Sequence, residues 1–131
     1  MNDVKLNYAL TCDQAILDQK GKLSLIGIFT NINTTQVPAI HPSFSLVVNT
    51  YGKSGRYKEK IEFFHEETNS VLISGGGEIE IKENSRNTLR LDFMNTIFPH
   101  FGKYQIRVTI NDSWIISDPT IHYVSVSEVK K

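Results

Sequence analysis

From Tyr104 to Ile110 the chain reads YQIRVTI, with Tyr104, Ile106, Val108 and Ile110 on one face and Gln105, Arg107 and Thr109 on the other. A repeat of two residues belongs to a strand with one face buried. Nearly every apolar segment of the chain repeats this way, and none sustains the i, i+3, i+4, i+7 spacing of an amphipathic helix. The class this dictates is all-β. A first run covers about residues 5–12, where Leu6, Tyr8 and Leu10 alternate with Asn7 and Thr11, and the glycine of DQKGK at 18–22 supplies a turn. Residues 23–32, LSLIGIFTNI, are apolar on both faces and predict a central strand covered on both sides. VPAIHP at 37–42 holds two prolines, which lack the N–H a ladder needs, and predicts a connection. Further alternating runs fill the chain to about Val126, separated by glycine, proline and asparagine turns. Eight to ten short strands in 131 residues predict one domain, residues 1–131, built as an immunoglobulin-like two-sheet antiparallel β-sandwich.

The residues that introduce the most regular run add a corner signature. Gly102 permits a sharp bend, and Tyr104 brings a ring for the core and a hydroxyl that can bond upstream backbone where the chain changes sheets. Tyr104 therefore predicts a structural tyrosine corner. A catalytic tyrosine would need a base, a cofactor motif or a metal cluster close by in the sequence, and none stands out.

Charge removes several classes of function. Lys plus Arg and Asp plus Glu both total 14, so the net charge is zero and no basic excess exists to displace counterions from a nucleic acid. The most charged stretch, residues 53–67, carries four basic and four acidic residues and reads as a solvated strand face. No run reaches the 18 or so apolar residues of a membrane span, and the first ten residues lack a signal-peptide core. Cys12 is the only cysteine, which excludes an intrachain disulfide and favours a reducing compartment. The expected location is the cytoplasm.

Motifs for chemistry are sparse. Four histidines, His41, His65, His100 and His122, show no metal-ligand spacing; His41 and His100 adjoin prolines and read as exposed loop residues. SGGGE at 74–78 leads into another strand instead of a helix N-terminus, so a bulge or bend explains it better than a phosphate loop. Cys12 lies in an alternating run and reads as a small buried hydrophobe; Asp13 and Asp18 are too few for a calcium loop. The expectation is no enzyme, no metal and no cofactor. Aromatics near turns and strand edges are the best anchors for a partner, and Tyr57, Phe64 and Trp114 are the candidate contacts. Phe64 is the sharpest, because it falls on the polar face with Lys60 and Glu62. These features predict a non-enzymatic protein-interaction module that docks through a strand edge or an aromatic patch, on an unknown protein or on its own copy. The alternative is a carbohydrate- or small-ligand-binding sandwich, whose mark would be a concave groove lined by Tyr57, Phe64 or Trp114.

Three segments, LNYALTCDQAILDQKGKLSLIGIFTNI, VPAIHPSFSLVV and FPHFGKYQIRVTINDSWI, occur in that order and resemble a family of small bacterial proteins known only as a domain of unknown function. Its members look like NYA…D…GKL…IGIF…PA…P…L followed by F…GxYxFxVxxDG. The likeness runs from about Leu6 to Val126. It implies a compact sandwich in a bacterium and assigns no activity. Asn111, Asp112 and Ser113 stand where the family often has DG, and Cys12 stands where a small or apolar residue is expected.

Overall fold

A computed structural model describes residues 3–130. Among them the chain forms ten strands: β1 (Val4–Leu17), β2 (Leu23–Phe29), β3 (Asn31–Thr34), β4 (Ala39–Gly52), β5 (Gly55–His65), β6 (Ser70–Ile81), β7 (Arg86–Phe98), β8 (Gly102–Ile110), β9 (Trp114–Ile115) and β10 (Tyr123–Glu128). Two sheets result, one ordered β2-β1-β4-β7 and the other β3-β10-β8-β5-β6, with β9 also paired to β8. The all-β expectation holds. The pairing is antiparallel except between β3 and β10, which run parallel, a departure from the purely antiparallel arrangement expected. No helix among the described residues is long and apolar enough to cross a membrane.

Alternation decides which side chains meet between the sheets. Phe44, Leu46 and Val48 of β4, Ile61 and Phe63 of β5, and Ile106 and Val108 of β8 belong to one buried cluster drawn from both sheets. The Phe44 and Phe63 rings, 6.0 Å apart, join β4 to β5 across the interior. Each such side chain contributes roughly 1.5–3 kcal/mol by leaving water. A smaller cluster of Val4, Ile79, Ile81 and Ile110 closes one end, with Tyr57 and Trp114 packed against it.

At the entry to β8 the chain passes from β7 in one sheet to β8 in the other. Tyr104 is buried there; its hydroxyl donates to the His100 carbonyl at 3.1 Å and accepts from the His100 N–H at 3.1 Å. Gly102 takes φ +108, and a Cβ on it would lie 3.2 Å from Glu67 Oε1 and 3.3 Å from His65 Nε2. The position therefore needs a residue without a side chain.

Three expectations are corrected. Residues 23–32 do not form one central strand: the segment divides into β2 and β3, in different sheets, and β2 is an edge. Ile26 and Ile28 stay 50% and 55% exposed, because apolar residues on both faces of a strand do not guarantee a cover on both sides. VPAIHP is a connection only as far as Pro38, since Ala39, Ile40, His41 and Pro42 already belong to β4. This part of β4 pairs with β7 alone, its pairing with β1 ending at Ser45, so a residue without an N–H is tolerated as on an edge strand. The glycines at 75–77 lie inside β6 in continuous register with β5, and the irregularity in that ladder falls instead between Phe63 and Phe64.

Candidate functional site

Tyr57 and Trp114 pack on the same end cluster, and Phe64 lies apart from them. Tyr57 is half-buried, its hydroxyl donates to the Lys53 carbonyl at 2.7 Å, and its ring supports the end cluster that also takes Trp114. Both side chains thus have a structural use. Tyr57 also borders a groove of about 430 Å³ with Arg56, Lys58, Gly77 and Glu78. Phe64, seven residues further along β5 and so about 23 Å away, is half-buried beneath Arg107, whose guanidinium lies 3.6 Å from the ring centroid. Arg107 Nε in turn donates to Gln105 Oε1 at 3.0 Å. This stack occupies the Phe64 face with a cation of the protein's own. Gly102, half-buried, and the buried Tyr104 lie at the start of β8.

The histidines fall into separate groups. His41 is not an exposed loop residue: it lies in β4, half-buried, with its ring 5.4 Å from those of Phe29 and Phe44. Burial holds its pKa below the ordinary imidazole value, partly offset by Asp13. His100 stacks on His65 at 5.0 Å. The buried His65 donates from Nε2 to the Phe101 carbonyl at 2.9 Å and accepts at Nδ1 from Thr68 Oγ1 at 2.7 Å, so its ring braces the corner. No group of three or more His, Cys, Asp or Glu among the described residues is placed to hold a metal ion. Cys12 is fully buried and burial raises its thiol pKa, which suppresses the reactive thiolate.

Two features escaped the sequence reading. Glu59 lies in β5 in phase with Tyr57, Ile61 and Phe63, is 2% exposed, and has no hydrogen-bond partner for either carboxylate oxygen among the described residues. Burial pushes its pKa from 4.5 up to about 7, so near neutral pH much of it is the uncharged acid. Its signal was present in YKEKIEFFH, where an acidic residue occupies the apolar phase. The second feature is the free edge of β2. Of the four sheet edges, β6 carries Glu78 and Glu80, β7 carries Arg86, Arg90 and Asp92 beside the exposed Met94 and Ile97, and β3 has only four residues. By contrast β2, LSLIGIF, has no charge or proline and exposes Ile26 and Ile28, with Ile16 of neighbouring β1 also 41% exposed. Soluble proteins usually blunt such an edge with charge, proline or a cover.

Comparison with curated proteins found no match. A family model described as a family of unknown function, DUF6941, matches residues 7–120, a span that begins in β1 and ends beyond β9. The chain is a member of this family of unknown function.

Proposed function

We propose that the chain is a non-enzymatic interaction module of the bacterial cytoplasm, a single immunoglobulin-like sandwich that docks through the free edge of β2. The observation that carries this reading is the uncharged β2 edge with Ile26 and Ile28 exposed beside it. An added strand would satisfy the edge N–H and C=O groups and cover both isoleucines. A second copy is the partner this favours: two β2 edges can pair antiparallel about a two-fold axis, and a net charge of zero does not oppose association. The sandwich assignment is supported by the core shared between two sheets, by the chain's repeated passage from one to the other, and by the Tyr104 hydroxyl on the His100 backbone as a tyrosine corner.

Sedimentation velocity across a concentration series tests the reading. The wild-type chain should form a dimer as concentration rises, and Ile28→Lys should remain monomeric. A strictly monomeric wild type, together with a pull-down from its host that recovers nothing, would count decisively against an interaction module.

A carbohydrate- or small-ligand-binding role has one observation in its favour, the groove of about 430 Å³ beside Tyr57. Amide chemical-shift changes confined to Arg56, Tyr57 and Glu78 on titration with mono- and disaccharides would support that role, and their absence would remove it.

A further inference from the structure

Glu59 is a buried acid that nothing in the interaction reading uses. Register places it directly across from Gly77 of β6 on one side and Ile110 of β8 on the other. Its strand neighbours point to the outer face, where Lys58 Nζ pairs with Asp112 Oδ2 at 3.2 Å and Lys60 Nζ with Glu62 Oε2 at 3.7 Å. On its own inward face the titratable groups are Tyr57, bonded to Lys53, and His65 at the far end of the strand, bonded to Thr68 and Phe101. Among the described residues, the inward faces of β6, β8, β4 and β7 add Tyr104, which pairs across from His65 at that same far end, and His41 of β4, whose ring lies against Phe29 and Phe44. Among the described residues no opposite charge compensates the carboxylate, and burial accounts for its raised pKa.

The strand beside Glu59 lies at an edge of its sheet and is held from one side. Among the described residues β6 is an edge paired with β5 alone, and Gly75, Gly76 and Gly77 bring no side chains to the packing. Gly76 adopts φ +139, and a Cβ there would collide with the Glu59 carbonyl oxygen. Outside these glycines runs a groove of about 460 Å³, bordered by Lys58, Lys60, Ser74 and Asp112. Glu59 and the three glycines line this groove as well. Opening that segment would bring water to an ionised Glu59.

We propose that Glu59 is a proton-controlled latch for β6: protonated, it lets the glycine segment lie closed on β5, and on losing its proton it favours local opening of that segment to water. The sign follows from linkage. The closed form binds the proton with a pKa of about 7 and the open form with the ordinary 4.5, so closure is fully supported below 4.5 and loses that support as pH rises to about 7. Those two values raise the opening equilibrium about tenfold between pH 6 and pH 8, with little further change above pH 8.

Native-state hydrogen exchange, corrected for the intrinsic pH dependence of amide exchange, reads this directly. The ladder amides within residues 73–79 should be less protected than those of Leu46 and Val48 in β4. Their protection should fall about tenfold from pH 6 to pH 8 in the wild type and stay level in Glu59→Gln. Glu59→Leu, which also has no proton to lose, should be level too and covers the case in which a buried amide disturbs folding. The latch is overturned if the wild-type protection does not fall, if it falls equally in both variants, or if residues 73–79 are as protected as Leu46 and Val48, since β6 would then open only when the whole chain unfolds.

Discussion

Tyr104 and Glu59 sit on inward faces of adjacent strands, and they illustrate opposite ways of burying a polar atom. The Tyr104 hydroxyl finds both a carbonyl and an N–H on His100, so its ring enters the core with its polar atom satisfied. Tyr104→Phe should cost on the order of 1 kcal/mol in urea denaturation, the usual worth of a lost internal hydrogen bond, and should leave self-association intact. Unchanged stability with lost association would reverse the roles assigned to the corner and to β2. Glu59 has no such partner, and its folded pKa of about 7 lies above its ordinary 4.5. Its contribution to stability is therefore full below pH 4.5 and disappears as pH rises to about 7. Glu59→Gln should remove that slope, making the variant the more stable protein at pH 8 by up to about 3 kcal/mol, as read from denaturation curves at pH 5 and pH 8. Tyr104 was legible because a glycine, a tyrosine and a regular alternation stood together. Glu59 was legible only as an exception within an alternation, a mark easily lost in a stretch where charged residues dominate the opposite face.

At the scale of elements, alternation located strands well and their neighbours poorly. YQIRVTI became the buried-and-half-buried β8 as its pattern required. LSLIGIF became an edge, because apolarity on both faces is the same in sequence whether the second face is covered by the protein or left open. The prolines of VPAIHP gave a similar ambiguity: Pro42 is compatible with β4 only because β1 does not pair with that part of the strand, a fact set by a distant segment. Gly76 approaches β5 so closely that a Cβ on it would meet the Glu59 carbonyl. Gly76→Ala should thus destabilise by more than about 2 kcal/mol, through a positive φ and a collision with backbone that cannot step aside, and a thermal melt would register it as a lowered midpoint. Ile28→Lys, at a half-exposed position, should change monomer stability by no more than about 0.5 kcal/mol, so that any loss of dimer reflects the edge itself.

For the whole molecule, the class followed from a local period, whereas the topology did not. Which strands change sheets, and that β3 joins β10 in parallel, depend on pairings between residues about ninety positions apart. Such contacts carry no local signature. The proposed docking rests on the uncharged edge of β2, with Ile26 and Ile28 exposed beside it. Membership in a family of unknown function adds no chemistry to the fold. The most direct test is amide hydrogen exchange on the wild-type chain at low and high protein concentration. Docking through β2 predicts that protection gained on association is concentrated in residues 23–29 and is lost in Ile28→Lys. Association that leaves residues 23–29 unprotected, or protects another edge instead, would contradict it.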